Sequence, residues 1–138
     1  VVRIQQAGIP VMGHIGLLPQ TDKKFKVKGK KINEENKIFN DAIAISNSGA
    51  FSIILECIIE RLAKKITKNI LIPTIGIGSS KFCDGQILVT EDILGLSAIS
   101  PRFVKQYKNL SLDIEKCIKK YVKDVKVKKF PNFKNAYK

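Results

Sequence analysis

Cysteine, arginine and histidine are scarce in this chain and long apolar runs are missing, and each scarcity removes a class of function. Cys57, Cys83 and Cys117 are odd in number and form no Cys-x-x-Cys pair, so neither a disulfide framework nor a zinc site is indicated and a reducing cytoplasm fits best. A nucleophilic role for Cys57 would need a basic partner, and the single histidine, His14, is the one candidate; a small buried cysteine is the plainer reading. No stretch approaches the roughly 20 apolar residues of a membrane span. The first residues also lack the basic start and apolar centre of a secretory signal. A starting methionine is absent, and Val1-Val2-Arg3-Ile4 reads as the interior of a longer chain. Acidic residues are outnumbered 12 to 25, for a formal charge of +13, which by itself would suggest phosphate binding. Yet arginine occurs only at 3, 61 and 102, and the lysines are spread along amphipathic segments without interleaved aromatics. That distribution argues against nucleic acid and for a solvated basic surface or the steering of an anionic substrate.

The 138 residues, 44% hydrophobic, are enough for one folded domain with a core. Phe51 to Glu56 reads as a buried strand, since Ile53-Ile54-Leu55 leaves no polar face. Glu56 closes that run. A carboxylate is costly to desolvate without a partner or a reaction that requires it, so Glu56 is the first candidate site residue; the first residue of a solvated loop would look the same. Ile9 to Gly13 predicts a strand with His14 directly after it, between Gly13 and Gly16, where a histidine is either structural or functional. Leu18 to Lys31 is lysine-rich and aperiodic, long enough for a lid.

Helical spacing predicts helices over about 33–48 with Asn33 as N-cap, and again around Ile59, Leu62, Ala63 and Ile66. Ile72 to Gly78 reads as a strand running into a Ser79 to Asp84 loop, and Gln86 to Thr90 as a fourth strand. Its Gly76-x-Gly78 lacks both the third glycine of a dinucleotide fingerprint and the ending of a P-loop. A short turn to Leu94, a helix from Pro101 to about Tyr107, and a last helix from about Leu112 to Val127 follow, the last with Ser111 as N-cap and Ile114, Ile118, Val122 and Val125 inward. Residues 128–138 form a tail. Four alternations of strand and helix, with connections too long for hairpins, predict parallel βαβ units in a barrel or a doubly wound sheet. Either fold gathers ligands at the carboxyl ends of its strands.

The stretches Gly8-Ile9-Pro10-Val11-Met12-Gly13-His14-Ile15-Gly16-Leu17, Pro19-Gln20, Leu55-Glu56-Cys57, Ile72 to Gly78 and Asp84-Gly85-Gln86-Ile87-Leu88-Val89 resemble, in order and spacing, the ketopantoate hydroxymethyltransferase family. The resemblance implies an α/β fold of the (β/α)8 TIM-barrel kind, with residues 1–138 a single partial domain corresponding to the C-terminal half, strands 5 to 8 and the C-terminal helices. It implies transfer of a hydroxymethyl group from 5,10-methylenetetrahydrofolate to 3-methyl-2-oxobutanoate in pantothenate biosynthesis, with Mg2+, in a cytoplasmic homo-oligomer. By position, Glu56 matches the family's general base, His14 a residue touching substrate or product, and Ile77 and Val89 apolar pocket lining. The family's metal ligands fall in the missing N-terminal half, so the fragment alone is expected to be inactive. Two departures stand out: the segment from Thr21 to Lys28 is short and basic, and Leu96 to Pro101 is contracted. Rival readings are a non-catalytic fragment or paralogue and a basic nucleic-acid-binding module, which steep salt dependence of binding would reveal.

Overall fold

A computed structural model describes residues 1–22 and 25–137, in two compact units, Val1–Leu88 and Val89–Lys138. In the first unit a short helix α1 (Val2–Gln6) leads into strand β1 (Met12–Gly16), followed by α2 (Ile32–Asn47), β2 (Ser52–Glu56), α3 (Glu60–Asn69), β3 (Thr74–Ile77) and β4 (Gly85–Gln86). The strands form one parallel sheet in the order β1-β2-β3-β4. Strict sequence order with every neighbour parallel is the arrangement of consecutive barrel strands, and among the described residues it contains no reversal of the kind that defines a doubly wound sheet.

Register shows which face does what. Gly16 pairs with Glu56 and Glu56 with Ile77, so His14, Gly16, Ile54, Glu56, Ile75 and Ile77 share one face, because side chains alternate along a strand. The other face carries Ile15, Ile53 and Leu55, which join Ile38 and Ala42 of α2 and Leu62, Ala63 and Ile66 of α3 in the core. Burying the isoleucine and leucine side chains among these stabilises the unit by about 1.5–3 kcal/mol each before entropy is counted. Helices α2 and α3 thus cover the face opposite Glu56.

The second unit holds α4 (Thr90–Leu94) and α5 (Leu110–Lys126). Gly95 ends α4 in the left-handed conformation, φ 69°, as a helix C-cap commonly does. Asn109 caps α5, its side chain accepting from the Leu112 amide.

Several boundaries differ from the sequence reading. His14 lies inside β1 rather than after it, because the ladder with β2 runs on to Gly16. Lys31, not Asn33, precedes α2, and Asn109, not Ser111, caps α5. The expected strand over Gln86 to Thr90 is only Gly85–Gln86; Glu91 and Asp92 in the first turn draw Thr90 into α4, where acidic side chains favour a helix start. No helix forms from Pro101 to Tyr107, since the amides of Tyr107 and Lys108 donate to the Ile93 carbonyl instead. Ile114, Ile118, Val122 and Val125 of α5, expected inward, are all exposed. In the tail, Phe130 meets Tyr121 edge to face at 5.5 Å. Of the basic loop, Lys23 and Lys24 lie outside the described residues, as does Lys138. No helix among the described residues is long and apolar enough to cross a membrane.

Candidate active site

Two polar side chains meet near the carboxyl ends of β1 and β2. Glu56 is the last residue of β2 and His14 stands two residues before the end of β1. Because Gly16 pairs with Glu56, His14 lies diagonally opposite the carboxylate on the same face, and its Nε2 comes within 3.1 Å of Glu56 Oε2. The contact is not aligned as a hydrogen bond, and buried Nε2 has no hydrogen-bond partner among the described residues. Glu56 is the more enclosed of the two, its side chain 14% exposed against 30% for His14.

The backbone around Glu56 is held on three sides. Its carbonyl accepts from Leu17 N, Cys57 N donates to the Ile77 carbonyl, and the Cys57 carbonyl accepts from Lys28 N. Cys57 itself adopts φ 52°, uncommon for a residue with a side chain and typical of strained positions beside functional groups. Burial, with the neighbouring Glu56 charge adding to it, pushes the Cys57 thiol up to about 11. The thiol stays protonated at neutral pH, so a nucleophilic Cys57 finds no support.

A cleft of about 470 Å³ opens beside His14, lined also by Gly16, Leu18, Asp22, Lys28 and Asp41. Asp22 Oδ1 accepts from Lys28 Nζ at 3.0 Å and its other oxygen from the Leu18 amide; the amide first and the ammonium second hold the Asp22 carboxyl below its ordinary value. Asp22 and Lys28 were not singled out in the sequence, where their spacing inside an aperiodic lysine-rich stretch gives no signal. Asp84, part of the Asp-Gly-Gln motif, lies away from Glu56. Its carboxylate accepts from both the amide and hydroxyl of Thr74, at the opposite end of β3 from Ile77, and so secures the Ser79 to Asp84 loop. Ile77 shares the face of Glu56 and is 9% exposed, whereas Val89 belongs to the second unit and is half-exposed. Among the described residues no three His, Cys, Asp or Glu side chains converge as metal ligands would.

A parallel sheet in sequence order, with a carboxylate and an imidazole paired near its strand ends, defines an α/β protein of the barrel class with its ligand face at those ends. The ketopantoate hydroxymethyltransferase profile matches residues 1–133, and the chain belongs to that family. It is 51% identical over 129 residues to the 3-methyl-2-oxobutanoate hydroxymethyltransferase of Pelagibacter ubique, covering 94% of this chain and 50% of that protein. The like-named protein of Carboxydothermus hydrogenoformans is 48% identical over 99% of this chain and 51% of its own length, and that of Sulfolobus acidocaldarius 47% identical over 96% and 51%. The chain spans about half the length of the curated relatives it matches.

Proposed function

We propose that this chain is the base-bearing half of a 3-methyl-2-oxobutanoate hydroxymethyltransferase, joining a one-carbon unit from 5,10-methylenetetrahydrofolate to the keto acid in pantothenate biosynthesis. Glu56 is the general base. Its carboxylate takes a proton from the carbon next to the ketone, so that a C–H bond breaks, an O–H bond forms on Glu56 and the electron pair passes into an enolate. Water adds to the donor's methylene carbon, whose two C–N bonds break to leave two N–H groups and free formaldehyde; the enolate carbon then adds to the formaldehyde carbon, the C=O pair passes to oxygen, and that oxygen takes the proton back from Glu56 to become the hydroxyl. His14 contacts the substrate or product beside the carboxylate, and Ile77, on the same sheet face, lines the pocket. The observation that carries this reading is the 3.1 Å approach of His14 to Glu56 at the strand ends, within a chain of this family.

Magnesium, when bound in the complete enzyme, would supply Lewis-acid stabilisation of the enolate. The described residues of this chain do not assemble ligands for it; the family resemblance assigns its carboxylates to the part of the relatives that this chain does not span. The complete protein is proposed as a cytoplasmic homo-oligomer, a reading supported by its free thiols and by the exposed apolar residues of α5. The test is transfer assayed with the chain joined to the N-terminal half of a close relative: formation of the hydroxymethylated keto acid, dependent on both substrates, is expected. A folded chimera that forms no product with either donor or acceptor in excess refutes the assignment.

A further inference from the structure

We infer that Asp22 and Lys28 are positioning residues for Glu56, their ion pair closing a ring of bonds that begins and ends on the backbone of the base; that role rests on the proposed function above. The ladders of β2 with β1 and with β3 both end on Glu56, so the segment after β1 has to fix its peptide from that side. Leu17, 3% exposed, donates its amide to the Glu56 carbonyl at 2.9 Å. One residue on, the Leu18 amide donates to Asp22 Oδ2 at 2.8 Å, and the Asp22 amide donates back to the Leu18 carbonyl at 2.8 Å. Asp22 Oδ1 accepts from Lys28 Nζ at 3.0 Å. Lys28 in turn donates its amide to the Cys57 carbonyl and accepts from Ile59 N, which returns the path to the residue after Glu56.

The ion pair is the link of this ring that side chains alone supply. Its two side chains are only 28% and 22% exposed, which limits competition from water and raises the pair above the near-zero worth of an exposed one. Glu34, which lines the cleft with Lys28, accepts from the Gly29 amide, and Asp22 is the ion-pair partner of Lys28 among the described residues. Both Asp22 oxygens are engaged, one by the Leu18 amide and one by the ammonium, so this carboxylate holds the backbone rather than competing with Glu56 as a base. Cys57, at φ 52°, turns the chain between the two anchors: the carbonyl before it meets Leu17 and its own meets Lys28. A backbone in so sparsely populated a conformation persists where its surroundings over-determine it, and the closed ring does so. The precision matters because a base must come within hydrogen-bond reach of the proton it takes, and a misplacement of about 1 Å can cost about 10²-fold in rate.

The test uses the chain joined to the N-terminal half of a close relative, with Asp22→Asn, Lys28→Gln and the double variant. Asn keeps an oxygen for the Leu18 amide and Gln leaves the backbone of residue 28 in place, so each change removes chiefly the ion pair. One readout needs no turnover: hydrogen exchange of the Leu17 and Lys28 amides, compared with that of Ile53, a fully buried residue whose amide donates to the Pro73 carbonyl. Both ring amides should exchange about fivefold faster in each variant, the order that a partly exposed pair supports, with Ile53 unchanged. The other readout is steady-state kinetics. In each single variant kcat should fall about tenfold with KM for both substrates kept, as loosened positioning implies. The double variant should be no slower than either single one, because all three break the same link, and Lys28→Arg should restore the parent rate. Exchange that rises equally at all three amides, or at none, overturns the inference and leaves the proposed function standing. So does a double variant whose loss is the product of the two single losses, or a raised KM in Lys28→Gln that Asp22→Asn does not share, which would make Lys28 a direct substrate contact. Faster exchange at Leu17 and Lys28 alone, with no transfer by the parent, overturns the proposed function and keeps the ring around residue 56.

Discussion

Glu56 and His14 differ in what their substitution should cost. The amide of Glu56→Gln keeps the shape and contacts but cannot accept the proton, so in the complete enzyme kcat should fall by about 10²- to 10⁴-fold with little change in KM. If His14 contacts the substrate as proposed, His14→Asn should raise KM and lower kcat less than Glu56→Gln does. Steady-state kinetics on both variants, each confirmed folded, decides the roles: a larger kcat loss for His14→Asn would exchange them. The candidacy of Glu56 can be read from the sequence, because a charge closing an all-aliphatic run is conspicuous. The approach of Glu56 to His14 cannot, since 42 positions separate them and only strand register makes them diagonal neighbours.

At the scale of the element, Gly16 decides whether β1 can lie against β2 at the site. It adopts φ +103°, and a Cβ there would fall 2.0 Å from the Glu56 carbonyl oxygen. Gly16→Ala should therefore cost more than the about 1–2 kcal/mol of a left-handed alanine alone, and should displace Glu56. Gly8→Ala is the control, with φ +77° but no atom within 4 Å of the added Cβ. Urea unfolding of both, with kcat, is the measurement; equal costs would mean that β1 yields to the clash. A second element-scale device is the Asp84 clamp on β3. Hydrogen bonds from the Thr74 amide and then its hydroxyl hold the Asp84 carboxyl below its ordinary value. A depressed carboxyl stabilises the fold above its unfolded pKa, and that contribution disappears as pH falls through the lower folded pKa. Asp84→Asn should thus be less stable than the parent at pH 7, with the gap closing in strongly acidic solution. A gap that is independent of pH would remove the charge from the explanation. Elements α2, α3 and β2 could be read from apolar period, as could the existence of β3, though it begins at Thr74 rather than Ile72. The end of β4 and the segment after Pro101 could not, because there the backbone partners, the Gly76 carbonyl for Ile87 and the Ile93 carbonyl for Tyr107, are chosen by tertiary approach rather than by local pattern.

For the whole molecule, the parallel sheet has two outer strands, β1 and β4, each with one neighbour among the described residues. Unpaired strand edges offer rows of backbone donors and acceptors that other chains can complete. The face carrying Glu56 also presents Met12, 41% exposed, and within the second unit α5 displays Ile114, Ile118, Val122 and Val125 to solvent. A chain that spans half the length of its relatives and leaves these surfaces open should associate with itself when made alone. We expect the 138 residues to elute larger than a monomer, increasingly so with concentration, and to show no hydroxymethyl transfer. Met12→Lys, which adds a charge to the open edge strand, should reduce that association, since lysine blunts edge-to-edge pairing. Co-expression with the N-terminal half of a relative should replace self-association by a soluble complex with magnesium-dependent activity, because the hard cation needs several oxygen ligands that the described residues do not bring together. A monomeric and fully active 138-residue protein would overturn this account, since neither edge would then require a partner and the base, substrate contacts and metal chemistry would all have to come from one half-length chain.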